Sequence, residues 1–271
     1  MRTPRLKLKE TAVYHCTSRI LEDRRLLNKT CKDHLLENLF KWADFCGVEV
    51  LAFSILDDHY HVLSRVEPVQ NLTSKELDRR FRLVNNHLPN KIQSWENALR
   101  AKDSETLEAL TDRMGDISQF IKEFKQSVTP WINAHHNRRG PLWFHRFTSM
   151  LVEERPEILN IVAAYIDLNP VRARLVKKPG DYPWCTAGHS QTLALPHKQL
   201  MQEHLLDRES PLLHRIPAFT LGKILGTPRF VLEKRSALPG KYRPTKRHYS
   251  VPIPKLNPNL FTTHSNPRLT D

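Results

Sequence analysis

The sequence predicts an α+β protein: a ferredoxin-like antiparallel sheet in the order β-α-β-β-α-β, followed by one further helix. Three observations carry the prediction. Residues 48–66 hold two apolar runs rich in Val, Ile and Phe around an Asp57-Asp58 break, which reads as two adjacent strands joined by a tight turn. A β-rich alternating run precedes them and an aromatic-led one lies at 142–154. Between these runs the apolar residues recur at helical spacing, twice.

Taken in order, residues 1–10 are basic and read as a loose arm. Thr11–Ile20 alternates, with Tyr14 and Cys16 on one face and His15 and Thr17 on the other. Asp23-Arg24-Arg25 makes a polar turn. From Asn28 or Thr30 to about Cys46, the positions of Leu35, Leu36, Leu39, Phe40 and Ala43 are helical, and Gly47 fits the stop. After the paired strands, Pro68 opens a different region. Charged amphipathic stretches broken by Pro89 predict two or three surface helices inserted at about 70–115, either a DNA clamp or dimer arm, or a solvated insertion. Asp116–His136 is helical, with Ile117, Phe120, Ile121, Phe124 and Val128 on one stripe, and ends in a basic turn. After the fourth strand, Pro156 opens a helix over Glu157–Leu168, closed by Asn169-Pro170.

Residues 1–190 therefore read as one catalytic domain and 191–271 as a small helical, basic extension. Within the extension, 191–231 carries short helices and 234–249 is a basic, proline-broken stretch, either a phosphate-tracking tail or a disordered end. Residues 250–271 read as unstructured.

Composition narrows the partner. Lys+Arg 42 against Asp+Glu 29 leaves a net charge of +13. That balance favours a polyanion, bound with release of counterions, and nucleic acid leads because no basic amphipathic helix stands out for a lipid surface. No apolar run reaches membrane-spanning length and the basic start lacks the apolar core of a signal peptide, so the expected location is cytoplasmic, nucleoid-associated when on DNA. Four cysteines without CxxC spacing point neither to a zinc knuckle nor to a disulfide framework.

The candidate chemistry begins at His59-Tyr60-His61. On a strand the two imidazoles share a face, a half-site for a divalent metal, while Tyr60 turns toward the core. With 14 histidines in the chain, such a pair is as readily a solvated strand face. Tyr165 and Asn169 lie four apart on the last core helix. If that helix crosses the sheet near the third strand, the Asn169 amide completes the metal site and Tyr165 stands beside it as a nucleophile for phosphoryl transfer. Such ligands, with water and phosphate, suit Mg²⁺ or Mn²⁺. The plainer alternative makes Tyr165 a half-buried helix aromatic and Asn169 a helix-end residue before proline.

The blocks YHCTSR (14–19), ILDDHYHVL (55–63), FKQSV…RRGPLWFHRFTSMLVE (124–153) and YIDLNPVRARLVKKPGDYPW (165–184) resemble, in type and order, the single-tyrosine HUH transposases, in particular the REP-associated tyrosine transposase (RAYT) family. The resemblance implies cleavage and rejoining of single-stranded or hairpin DNA, at repeat-element ends, through a 5′-phosphotyrosine with Mg²⁺ or Mn²⁺. It implies His59 and His61 as the metal pair, Asn169 as the third ligand and Tyr165 as the nucleophile. His15, Arg19, Arg138, Arg139, Arg146 and Arg172 become DNA-binding or auxiliary positions, and a homodimer is expected in the wider superfamily. Asp57-Asp58 replaces the family's usual Pro-Asn, Tyr60 stands where a smaller aliphatic is usual, and the 70–115 insertion has no counterpart in short members. The rival expectations are a domesticated hairpin-binding protein without turnover, and a nuclease on the same fold that uses water. Tyr182, flanked by Pro183 and Trp184, reads as a packing anchor.

Overall fold

Alternation along three central strands sorts the side chains of this protein into two cores, one on each side of a sheet. The computed structural model describes residues 6–21, 25–68, 72–84, 114–189, 196–207, 209–216, 218–219, 222–236, 250–253 and 257–263, with residues 97, 100, 101 and 111. Strands β1 (Ala12–Arg19), β2 (Val48–Ile55), β3 (His59–Val66) and β4 (Thr148–Val152) lie in the spatial order β2-β3-β1-β4, all neighbours antiparallel. Helices α1 (Lys29–Cys46) and α3 (Ile117–His135) cover one face. Helix α4 (Pro156–Asp167) covers the other.

The first core is aromatic. Tyr60 is fully buried and meets the ring edges of Phe124 at 5.4 Å and Trp143 at 5.6 Å. Trp42 donates its indole N–H to Ser127 Oγ at 2.7 Å, which joins α1 to α3. The expected stripe of Ile117, Phe120, Ile121, Phe124 and Val128 is buried here. Both helices begin on a side-chain cap: Asn28 accepts from the Cys31 N–H and Asp116 from those of Ser118 and Gln119. Gly47 ends α1 at φ +64°, a left-handed turn in which an added Cβ would meet the Arg80 guanidinium at 2.6 Å. A register shift between Val50 and Ala52 lets β2 face Val48 and Phe53 to this same core. Tyr182 packs as an anchor, its hydroxyl donating to the Ile55 carbonyl at 2.8 Å.

Three expectations change. Residues 6–10 are not loose, because Leu6 and Leu8 pack on the first core and Lys7 pairs with Asp116 at 2.5 Å. In the insertion, α2 (Ser74–Leu83) is only half a surface helix: Leu77 and Phe81 are buried, while Arg79 and Arg80 pair with Glu76, and Arg79 with Asp44. Most of 85–113 lies outside the described residues, as does the basic stretch at 237–249. The extension is not only helical, and 250–253 and 257–263, read as unstructured, are strands. Strand β5 (Ile224–Gly226) adds in parallel to β4, and β7 (Asn257–Thr263) and β6 (Ser250–Ile253) continue the sheet to seven strands. Short runs broken by Pro252 and Pro258 give little alternation to read, and Pro252 is tolerated because β6 is the edge strand. Helices α7 (Lys198–Leu206) and α8 (Pro228–Arg235) complete the extension, after short helices α5 (Asn169–Arg172) and α6 (Thr186–His189). Among the described residues no helix is long and apolar enough to cross a membrane.

The aromatic core makes a quantitative expectation. Phe124→Ala should cost about 3–5 kcal/mol in urea unfolding, whereas Phe144→Ala should stay within about 0.5 kcal/mol, since Phe144 is 52% exposed. Equal costs would show that the core is misplaced.

Candidate functional site

On β1 and β3 the register pairs Thr17 with His61 and Arg19 with His59, so these side chains and His15 share the face covered by α4. Two contacts orient the imidazoles. His61 Nδ1 lies 2.9 Å from His15 Nε2, with the rings stacked at 5.1 Å, and His59 Nδ1 lies 2.6 Å from Asp58 Oδ1. The Nε2 of His59 and of His61 makes no hydrogen bond among the described residues.

Pro170 has no N–H to give to the preceding turn, so the helix carrying Tyr165 breaks at Leu168 and resumes for one turn as α5. Residues 165, 169 and 172 still follow one another at helical spacing. The Tyr165 ring stands 6.2 Å from that of His61, nearly perpendicular to it. The Arg172 guanidinium carbon sits 3.9 Å from the centre of the Tyr165 ring, a close cation–π contact. Phe219, from the extension, meets the same ring edge-on at 4.7 Å. Tyr165 is thus 2% exposed, more enclosed than a half-buried helix aromatic.

The enclosure sets the electrostatics. Burial, helped by Arg172, pushes the His15 pKa from 6.5 down to about 4. Burial first, then the neighbouring His15, His59, Arg172 and Arg19, holds His61 well below its ordinary value. Burial also lowers Arg172, to about 10. The site sets neutral His15 and His61 imidazoles beside a guanidinium that Nη1 ties to the Leu212 carbonyl at 2.8 Å. Three buried polar atoms of it make no hydrogen bond: His15 Nδ1, Asn169 Nδ2 and Arg172 Nη2. An unpaired donor in a low-dielectric site is costly, and an anion is the ligand that relieves it.

These features fit a divalent metal in donor type. Both histidines have Nδ1 engaged and Nε2 open, the arrangement in which a second group fixes a ligating imidazole. His61 is held neutral, as a ligand must be. Asn169 is 7% exposed with its amide incompletely bonded, and either amide atom can occupy the open position. The adjacent guanidinium opposes a bare cation, so the metal would be held most strongly together with an anion.

The other expected positions divide. Arg19 lies on the site's face at the end of β1. Arg138 is folded onto its own turn, bonded to Asn133 Oδ1 at 2.9 Å and the Pro141 carbonyl at 3.0 Å. Arg139 and Arg146 are exposed in the segment that leads to β4. Phe219 had no signal in the local sequence, because it comes from the extension. Arg172 could have been placed over Tyr165 by its i+7 spacing. Also unforeseen is the buried pair behind the site: Asp167 Oδ2 meets His197 Nε2 at 2.7 Å, and Asp167 Oδ1 accepts from the Ala187 N–H at 3.2 Å. This pair binds α4 to the extension.

No family model matches this chain, and no curated protein matches it. A solved structure described as "Structure of the REP associates tyrosine transposase bound to a REP hairpin" is similar, with a TM-score of 0.43 and 17% identity over 72% of this chain and 88% of that one. A likeness at this level does not say which side chains act.

Two outcomes follow from the buried groups. Asp167→Ala should cost about 3–5 kcal/mol, because it strands His197 in the interior, and urea unfolding at neutral pH reads the loss directly. With chelator present, the His15 contribution is complete above pH 6.5 and disappears as pH falls toward 4, since the unfolded chain takes the proton first. His15→Gln should therefore flatten the stability profile in that window; an unchanged slope would exclude a buried neutral His15.

Proposed function

We propose that this protein is a divalent-metal-dependent DNA strand transferase of the HUH type, acting on single-stranded or hairpin DNA through Tyr165. The observation that carries the reading is the convergence on one enclosed face of the Tyr165 phenol, the open Nε2 atoms of His59 and His61, and the unpaired donors of Asn169 and Arg172. A net charge of +13 supports a polyanionic substrate. His59, His61 and the Asn169 amide would hold Mg²⁺ or Mn²⁺, whose chemistry is to polarise the scissile phosphate as a Lewis acid.

The chain's own groups do the rest. Arg172 Nη2 donates to a phosphate oxygen and so gains the partner it lacks. Arg172 and Phe219 restrain the Tyr165 ring, which aims its oxygen at phosphorus. That oxygen forms the new P–O bond as the bond to the 3′ oxygen breaks; the proton lost by the phenol is matched by the one the 3′-hydroxyl gains. Attack by a 3′-hydroxyl on the phosphotyrosine reverses the step and joins strands. His15, bonded to His61, keeps that ring in position.

The test is covalent trapping of labelled single-stranded hairpin DNA on a denaturing gel, with Mn²⁺. The wild type should give a label-shifted band that chelator abolishes and Tyr165→Phe lacks, and His61→Ala should lower its yield by at least about 100-fold. Metal-dependent cleavage that survives Tyr165→Phe without an adduct would replace this reading with a nuclease using water. Binding without cleavage across a set of hairpins would replace it with a non-catalytic hairpin binder.

A further inference from the structure

On the sheet face opposite the histidine–tyrosine cluster, the first turn of α1 meets the last turn of α3, and three metal-ligating side chains meet with them. Donor atoms of Cys31, His135 and His136 all lie within 4.8 Å of one another, with Cys31 Sγ and His136 Nε2 at 3.4 Å. The sequence hid this group because its members are a hundred residues apart, without the local spacing that marks a zinc knuckle. We propose that Cys31, His135 and His136 bind a Zn²⁺ ion that clips α1 to α3, with water at the fourth position.

Two of the three side chains are fixed away from their donor atoms. Cys31 is fully buried, and its N–H is capped by Asn28 Oδ1 at 3.0 Å. The His135 ring stacks on Trp131 at 5.1 Å and 7°, and Trp131 stacks in turn on His34 at 4.2 Å, so a continuous pile of rings fixes that imidazole. Without metal, His136 Nε2 donates to the Leu26 carbonyl at 2.7 Å, on the loop that leads into α1, and His135 Nε2 lies 3.1 Å from Asn28 Nδ2; a ligand bond to either Nε2 displaces its contact. One thiolate and two imidazoles form the donor set that selects a borderline-soft, tetrahedral ion, and three protein ligands leave one position open.

The helix ends favour the same ion. The C-terminus of α3 offers partial negative charge to a cation, and the N-terminal turn of α1 stabilises a thiolate at Cys31. Without metal, burial pushes the Cys31 thiol up, and the ion must displace its proton. Binding breaks the S–H bond and forms S–Zn, releasing one proton to solvent. His136 shifts its proton from Nε2 to Nδ1, with no net change.

The site is separable from the one built around His59 and His61, which has no cysteine among its described residues. The full-length chain, stripped of metal, is titrated with Co²⁺ and followed by absorption. A thiolate-to-cobalt charge-transfer band should grow to one equivalent and be erased by competing Zn²⁺. Cys31→Ser should remove it. His135→Ala, at an exposed position that leaves the fold intact, should weaken cobalt binding by at least about tenfold. A His59→Ala/His61→Ala double variant should keep the band. Absence of the band from the folded wild type, or its survival unchanged in His135→Ala, would overturn the proposal even if Cys31→Ser failed to fold.

Discussion

The antiparallel pairing of β1 with β3 is the constraint on which the remainder of the molecule depends. It places His15, Thr17 and Arg19 beside His61 and His59 on one side, and Tyr14, Cys16, Tyr60 and Val62 on the other. A slip of one residue would exchange the two sets, burying imidazoles among Phe124 and Trp143 and turning Tyr60 toward α4. Tyr60 prevents the slip: its ring is locked between two aromatic edges, so the aromatic core holds the histidines in position from the opposite face.

A helix with nearly every face buried needs two walls, and α4 has them. The sheet supplies one through Val13, Ala52 and Leu63, and the extension supplies the other through Met201, Leu212 and Phe219. Its only buried charge, Asp167, is met by His197 from the extension. The extension thus shares a core and a sheet with the elements that precede it.

Charge around the histidine cluster is asymmetric in a way that stability alone does not require. Burial keeps His15 and His61 neutral, while Arg172 keeps a guanidinium over a phenol with one edge unpaired. A core selected only for packing would fill that place with an apolar side chain, since an unpaired buried donor lowers stability. The unpaired donors of Asn169 and Arg172 are groups that an anionic ligand would satisfy.

The sequence by itself determined what is local and periodic. Alternation set the faces of His15, His59, Tyr60 and His61, helical spacing set the buried stripe from Ile117 to Val128, and Asn28, Gly47, Asp116 and Pro156 marked helix ends through their own backbone chemistry. Tertiary structure decided what depends on which elements meet. It brought Phe219 and Arg172 onto Tyr165, His197 onto Asp167, and Cys31 onto His135 and His136. It also recruited 224–226, 250–253 and 257–263 as strands. Such short segments carry almost no periodic signal; they become strands because each meets a free edge of hydrogen-bonding groups, β5 on β4, β7 on β5 and β6 on β7.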